Sequence, residues 1–165
     1  MSRLKSALVL VAFLAIAYGV AAFGTIATIT HVDGWYADAE KASWSPPNLL
    51  FGPVWTVLYA LMAVAAWLVW RERGTTDVRR PLTIYVIQLA LNAIWTPLFF
   101  ALYPVVGVAA LWAALAVIVA LDVFVLLTML AFWRVKRVAA VLLIPYWAWV
   151  LFATTLNVAI AVLQS

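Results

Sequence analysis

Five long runs of apolar residues, separated by short polar segments, dominate the chain. Four of the runs contain no charged residue, and the fourth along the chain contains one, Asp122. A helix needs about 20 predominantly apolar residues to cross a bilayer, and every run exceeds that length. In lipid, an α-helix satisfies its backbone polar groups within one segment. The pattern therefore predicts five transmembrane helices, over residues 7–30, 46–70, 81–103, 105–133 and 138–164.

These runs predict an all-α integral membrane protein built as a single bundle of five transmembrane helices. No repeat, linker or low-complexity tract divides the chain, so we expect one domain over residues 1–165. Arg3 and Lys5 precede the first run, as basic residues precede the apolar core of a signal peptide. That core usually spans about 7–15 residues and ends at an A-x-A site. The first run is longer and lacks a convincing site, so we expect a retained helix.

Composition excludes a water-soluble domain and several kinds of site. The chain is 69% hydrophobic and 10% charged, whereas soluble domains carry roughly 25% charged residues. The absence of cysteine excludes disulfides, thiolate metal sites and cysteine nucleophiles. His31 is the only histidine, which excludes a multi-histidine zinc or haem site. We therefore expect no metal and no resident cofactor.

The basic residues form clusters at the ends of alternate apolar runs. One side of the membrane receives Arg3 and Lys5, then Arg71, Arg73, Arg79 and Arg80, then Arg134, Lys136 and Arg137; the other side receives only Lys41. Cytoplasmic loops carry the excess of Lys and Arg. This predicts a cytoplasmic N-terminus and an external C-terminus in a multi-pass protein, with the bacterial inner membrane as its expected location. Clusters of this kind do not form a nucleic-acid-binding face.

Prolines interrupt three of the predicted helices. Ser45 is a plausible N-cap, with Pro46 at the first helical position. Pro53, Pro97 and Pro145 lie further inside predicted helices 2, 3 and 5, where each would remove a backbone hydrogen bond and kink the helix. Such kinks either bow the helices apart around a cavity or are ordinary transmembrane prolines.

One face of predicted helix 3 carries a polar and aromatic stripe. Gln88, Asn92, Trp95 and Phe99 follow the i, i+4, i+7, i+11 spacing of a single helix face. Two amides facing lipid would be costly, so this face points into the bundle. The amides either hydrogen-bond between helices, at about 1 kcal/mol each, or anchor a ligand in an apolar pocket.

Predicted helices 2 and 5 carry similar aromatic stripes. Trp55 and Tyr59 are four residues apart in helix 2, and Tyr146, Trp149 and Ala153 share one face of helix 5. The small Ala153 beside the large Trp149 leaves room either for a flat ligand or for a neighbouring helix.

Two ionisable residues stand apart from these stripes. Asp122 is the only one inside a span, and such residues either serve function or pair with a hydrogen-bond donor. We expect His31 to be an ordinary loop residue.

Four strings of residues together resemble the TspO/translocator-protein family, also known as tryptophan-rich sensory proteins or peripheral benzodiazepine receptors. In chain order they are W-Y-A-D-A-E-K-A-S-W-S-P-P (35–47), F-G-P-V-W-T-V-L-Y (51–59), Q-L-A-L-N-A-I-W-T-P-L-F-F (88–100) and P-Y-W-A-W-V-L-F-A-T-T-L-N (145–157). They cover the first loop and predicted helices 2, 3 and 5, whereas helices 1 and 4 match only in length and character. One string would be weak, but four in this order and spacing are highly specific.

The resemblance implies a ligand pocket beneath the first loop of a five-helix bundle that forms a homodimer. The family binds porphyrins such as protoporphyrin IX, its animal members bind cholesterol and benzodiazepine-type drugs, and some bacterial members degrade protoporphyrin in light. Carried over by motif, the ligand-binding residues are Trp35, Tyr36, Pro47, Trp55, Tyr59, Asn92, Trp95, Phe99, Tyr146, Trp149 and Ala153. This favours the pocket interpretation of the helix-3 stripe.

The sterol-binding motif of animal members, L/V-x-Y-x-K/R, is absent from the end of predicted helix 5, where Asn157 is followed by apolar residues without tyrosine or a basic residue. The pattern matches only in the loop, at Val32, Tyr36 and Lys41, and such motifs are permissive. We therefore do not expect tight sterol binding at the helix-5 position.

These features leave four functions to weigh. The first is a receptor or sensor that binds porphyrin. The second is a light-dependent porphyrin-degrading enzyme, with Trp55 and Trp149 as candidate catalytic residues because an indole can exchange an electron with an excited macrocycle. The third is a transporter, ranked third because five helices cannot form two equal repeats. The fourth is a scaffold with no ligand.

Overall fold

A computed structural model describes residues 3–165, so Met1 and Ser2 of the predicted domain lie outside its description. Five long helical spans dominate it, each long and apolar enough to cross a membrane, and the described residues contain no strand. This confirms the all-α class and the five predicted spans. The spans are Arg3–Ile29 (α1), Phe51–Arg71 (α2), Arg79–Phe100 (α3), Val108–Val135 (α4), and Arg137–Leu142 followed by Ile144–Leu163 (together α5).

Short helical segments join the spans. The α1–α2 connection contains a helix at Trp35–Asp38 and a 3₁₀ turn at Asn48–Leu50, and a second 3₁₀ turn, Glu72–Gly74, follows α2. A further short helix, Tyr103–Val106, precedes α4, and Gly107 joins the two with a φ of 69° that favours glycine. Residues 31–50, which connect α1 to α2, are called the lid below.

The three prolines that the sequence places inside helices occupy different positions in the structure. The α2 helix begins at Phe51 rather than at Pro46, so Pro53 lies in its first turn. Backbone N–H groups in the first turn of a helix have no acceptor within the helix, so Pro53 removes no helical hydrogen bond there. The predicted kink at Pro53 is therefore wrong. Pro145 is the second residue of the helix Ile144–Leu163, and α5 is interrupted just before it, at Leu143. Pro97 lies inside α3, close to its end.

The helices pack around α4 and α2. Helix α4 packs against α3 and α5, whereas α1 packs against α2 and α3. The inner face of α2 is lined by Met62, Ala63, Ala66 and Val69, all fully buried. Small residues there allow neighbouring helices to approach closely. By contrast, only Ala17 of α1 is fully buried, so α1 lies at the edge of the bundle.

Contacts between loops define the two ends of the bundle. At one end, Lys136 Nζ lies 2.9 Å from Glu72 Oε1, and Trp67 Nε1 donates a 2.9 Å hydrogen bond to the Ser6 carbonyl. This end holds the N-terminal residues and the α2–α3 and α4–α5 loops, and it is called the basic face below. At the other end, Gln164 Nε2 donates to the carbonyl of Glu40 in the lid, at 3.4 Å. The C-terminus therefore lies at the lid end.

Candidate functional site

A cavity of about 410 Å³ lies at the lid end of the bundle, between α1, α2, α3 and α5. This volume falls within the range of about 300–1,000 Å³ that is usual for small-molecule pockets. Apolar and aromatic side chains form most of the wall, and none of the described residues that line it is charged. The aromatic members of the lining are Tyr36, Phe51, Trp55, Tyr59, Trp95, Phe99 and Phe100.

The lid covers the cavity through two neighbouring aromatic residues. Tyr36 is buried and lines the cavity, and burial raises the pKa of its phenol. Trp35 lies beside it and donates from Nε1 to the Phe100 carbonyl at 2.9 Å. The Trp35 ring also packs against Tyr103, with 4.1 Å between centroids. Lys41 Nζ donates to the Tyr36 carbonyl at 2.8 Å. This bond connects the short helix Trp35–Asp38 to the following residues of the lid.

The end of α3 supplies the central aromatic wall. Trp95 and Phe99 both line the cavity, with ring centroids 5.5 Å apart. Trp95 Nε1 donates to Asn157 Oδ1 at 3.1 Å, and Asn157 Nδ2 donates to the Leu111 carbonyl at 3.0 Å. The indole is therefore held in one orientation by a chain of hydrogen bonds that runs through α5 to α4.

A buried hydrogen-bond network joins three helices below this wall. Tyr59 of α2 donates its hydroxyl to Asn92 Oδ1. Asn92 Nδ2 donates to the Tyr146 hydroxyl at 3.2 Å, and that hydroxyl donates to Gln88 Oε1 at 2.9 Å. Neither Gln88 nor Asn92 lines the cavity. Both amides therefore hydrogen-bond to other helices in this structure. This is the interhelical interpretation of the helix-3 stripe, rather than the ligand-anchoring one.

The cavity brings together part of the predicted ligand-binding set. Tyr36, Trp55, Tyr59, Trp95, Phe99 and Ala153 line it. Trp35, Pro47, Asn92, Tyr146 and Trp149 do not. Trp35 and Tyr146 support lining residues from behind, and Pro47 is exposed in the lid. The Trp149 ring packs against Phe51, at 5.8 Å between centroids, and Phe51 rather than Trp149 lines the cavity.

The α1 wall was absent from the sequence prediction. Ala21, Gly24, Thr25 and Thr28 line the cavity, yet α1 reads as a uniformly apolar helix. Thr25 and Thr28 donate their hydroxyls to backbone carbonyls four residues earlier, at 2.9 and 2.8 Å. Because the threonine hydroxyls are satisfied within the helix, nothing in the pattern of α1 distinguishes a cavity wall from a lipid-facing surface.

Exposure differs between the walls of the cavity. The α3, α5 and lid residues Trp95, Ala153 and Tyr36 are buried. In contrast, Thr25 and Ile29 of α1 and Gly52 and Thr56 of α2 line the cavity and are also exposed. The cavity therefore opens sideways between α1 and α2, through an opening that these four residues define and that is called the α1–α2 gap below.

The α1–α2 gap is confined to the lid end of the two helices. Towards the basic face it is closed by the Tyr18 hydroxyl of α1, which donates to the Thr56 carbonyl of α2 at 3.1 Å. Beyond this contact the helices stay joined, since Trp67 of α2 binds the Ser6 carbonyl.

The two isolated ionisable residues lie outside the cavity lining. Asp122 Oδ2 accepts a 2.8 Å hydrogen bond from Thr154 Oγ1, which links α4 to α5. Its other carboxyl oxygen is buried and has no partner among the described residues. His31 Nδ1 lies 3.1 Å from the Ala27 carbonyl and 2.8 Å from Thr30 Oγ1, at the end of α1. His31 therefore belongs to the hydrogen bonding of that helix end.

Comparison with known proteins gives consistent matches along the chain. The model of the TspO/MBR family matches residues 11–163. The tryptophan-rich protein TspO of Archaeoglobus fulgidus is 39% identical over 166 residues, which cover 100% of both chains. The human translocator protein is 42% identical over 125 residues, which cover 74% of this chain and 70% of that protein. The tryptophan-rich sensory protein of Cereibacter sphaeroides is 38% identical over 133 residues, which cover 81% and 78% respectively.

Proposed function

The chain belongs to the TspO/MBR family and is an integral multi-pass membrane protein, and from this premise we propose that it is a membrane receptor for porphyrins. The proposed ligand is protoporphyrin IX or a related flat, apolar molecule, bound in the cavity beneath the lid. The observation that carries the proposal is the cavity itself, which is about 410 Å³ in volume and walled by seven aromatic side chains.

The shape and chemistry of the wall favour a planar aromatic ligand. Aromatic rings stack offset or meet edge to face, and each such pair adds about 0.5–1.5 kcal/mol beyond area burial. Trp95 and Phe99 form a tilted pair at one wall, and Trp55 and Tyr59 form another, with centroids 5.5 Å apart. The two pairs offer faces and edges from different helices to a single flat molecule.

The uncharged lining restricts where the acidic groups of a porphyrin would lie. A carboxylate buried without a partner is strongly destabilised, and the described lining offers none of the cations that would pair with it. The propionates of protoporphyrin would therefore remain at the α1–α2 gap or at the lid, in contact with water or headgroups. The macrocycle alone would be enclosed.

A titration of the purified protein with protoporphyrin IX tests the proposal. We expect quenching of tryptophan fluorescence with a dissociation constant of about 1 μM or below, which corresponds to roughly −8 kcal/mol. Trp55→Ala and Trp95→Ala should each weaken binding. Trp112→Ala is the matched control, because Trp112 is 45% exposed and lies outside the cavity lining. Equal affinity in all four proteins would overturn the assignment of the cavity as the site.

Light-dependent degradation of bound porphyrin is the second candidate function. It is favoured by Trp55, which lines the cavity within contact distance of an enclosed ligand, whereas Trp149 would act through Phe51. Phe is harder to oxidise than Trp, so Trp55→Phe should slow porphyrin loss under illumination in air while retaining the ring. Trp149→Phe should have a smaller effect. Equal loss in the parent, both variants and protein-free detergent would identify a binder without this activity.

A further inference from the structure

The basic face carries far more positive than negative charge. It holds nine Lys and Arg residues and two acidic residues, Glu72 and Asp77, which leaves an excess of seven positive charges. Both acidic side chains have partners within the protein. Glu72 pairs with Lys136 at 2.9 Å, and Asp77 Oδ1 accepts from the Arg79 backbone N–H at 3.0 Å. The two carboxylates therefore offset only part of the positive charge on this face.

Three guanidinium groups on this face lie over tryptophan rings at the ends of the spans. The pairs are Arg71 over Trp67 (4.8 Å to the ring centroid), Arg73 over Trp70 (3.4 Å) and Arg137 over Trp133 (5.5 Å). Tryptophan rings near helix ends sit at the level of the lipid headgroups. Stacking on them holds these cations at the same level, where lipid phosphates lie.

The α2–α3 turn forms a concave polar surface beside these pairs. Residues 73–79 line an open cleft of about 430 Å³, and Arg73, Thr75, Thr76 and Arg79 are among them. Arg80 follows directly. Asp77 also lines the cleft, but its carboxylate is turned to the Arg79 backbone N–H. A cleft of this kind matches a phosphate group with a small polar head.

We propose that the cleft at residues 73–80, together with the arginine–tryptophan pairs, binds the phosphate of an anionic glycerophospholipid. Charge alone is enough to orient a membrane protein during insertion. The basic face adds a concave polar site and cations held at phosphate depth. Basic residues near a membrane surface contribute about 1 kcal/mol each to binding of anionic lipid, so the cleft discriminates anionic from zwitterionic lipid.

The full chain in nanodiscs that contain phosphatidylglycerol and phosphatidylcholine tests this proposal, because both leaflets are present and the orientation of the protein does not matter. We expect native mass spectrometry to show preferential retention of phosphatidylglycerol, reduced by added NaCl. The double variant Arg79→Gln, Arg80→Gln should lower that preference about 30-fold, the product of two such charges. The matched control Arg79→Lys, Arg80→Lys should keep most of it.

Three outcomes would overturn the proposal. The first is equal retention of both lipids by the parent protein. The second is an unchanged preference in the glutamine variant, provided that its melting temperature and porphyrin titration match the parent and so show a folded protein. The third is displacement of the lipid by inorganic phosphate at equal concentration, which would assign the cleft to a free anion.

Discussion

Single polar side chains decide how the helices of this bundle are held together. The Tyr59–Asn92–Tyr146–Gln88 network buries four hydrogen-bonding groups, and each is satisfied by another helix. In lipid, such bonds contribute on average about 0.6 kcal/mol each, and up to about 1.7. The network lies directly below the cavity and fixes Tyr59, one of its lining residues.

We predict that Asn92→Ala lowers the free energy of unfolding by about 1–3 kcal/mol, because it leaves the buried Tyr59 hydroxyl without its acceptor and Tyr146 with Gln88 as its remaining partner. Denaturation of the purified protein in mixed micelles would measure the change. Trp95→Ala should weaken porphyrin binding more than Asn92→Ala does. A larger loss of porphyrin affinity in Asn92→Ala, with stability unchanged, would instead make Asn92 a direct ligand-binding residue.

The sequence predicted that the helix-3 stripe faces inward, but it left two roles for the amides open. Periodicity fixes which face of a helix is buried. It does not identify the partner, which for Asn92 comes from Tyr59 and Tyr146, far away in the chain. The sequence also did not predict the α1 wall of the cavity. The Thr25 hydroxyl is satisfied within its own helix, so the sequence pattern does not show which surface Thr25 faces.

Asp122 provides a second test at the scale of one residue. Its carboxyl accepts a hydrogen bond from Thr154, an interaction that an asparagine side-chain oxygen can retain. Removing a charge from the middle of a span also lowers the cost of burial. We therefore expect Asp122→Asn to raise the melting temperature or leave it unchanged, and to leave porphyrin affinity within about twofold, since Asp122 lies outside the cavity lining.

Asp122→Leu serves as the comparison, because it removes the acceptor and leaves Thr154 with only the Val150 carbonyl as partner. A loss of porphyrin binding or of photodegradation in a stable Asp122→Asn protein would show that the carboxylate itself acts in function.

At the scale of helices, the α1–α2 gap leaves one side of the cavity open. The lid is held by the Trp35–Phe100 hydrogen bond and by aromatic contacts, whereas the α1–α2 gap is open. A ligand that partitions into the membrane would reach the cavity through this gap without displacing the lid. The sequence predicted a pocket under the first loop, but not this lateral opening, which depends on the angle between two helices.

Two glycines provide a matched test of this route. Gly52 lies in the α1–α2 gap, Gly19 lies on the exposed surface of α1 outside the cavity lining, and a Cβ added at either meets nothing within 4 Å. We predict that Gly52→Phe slows both association and dissociation of protoporphyrin by about tenfold or more, or 1.4 kcal/mol of barrier. Stopped-flow fluorescence would measure both rates.

Gly19→Phe should leave both rates close to those of the parent. If the two variants behave alike, and Trp35→Phe instead accelerates both rates, the ligand passes under the lid and not between the helices.

For the whole molecule, the number of spans followed from hydropathy, because lipid leaves the backbone few alternatives. The structure also confirms which loops share an end: the Lys136–Glu72 ion pair joins two basic loops, and Gln164 joins the C-terminus to the lid. The homodimer implied by the family stays a prediction. So does the assignment of the basic face to the cytoplasm, since the contacts among residues 3–165 do not distinguish the two sides of a membrane.

The orientation can be tested with a reporter fused after Ser165. Nine of the ten basic residues lie at the basic face, and only Lys41 lies at the lid end, so we expect the basic face in the cytoplasm and the C-terminus outside. An alkaline phosphatase fusion, which folds only outside the cytoplasm, should be active, and a green fluorescent protein fusion at the same residue should be dark. A fusion in the α2–α3 loop, after Thr76, should give the reverse pattern. A fluorescent C-terminal fusion would refute the predicted orientation. Because three spans separate Thr76 from Ser165, the two fusion sites lie on opposite sides of the membrane, and the same reporter being active at both sites would refute the five-span topology.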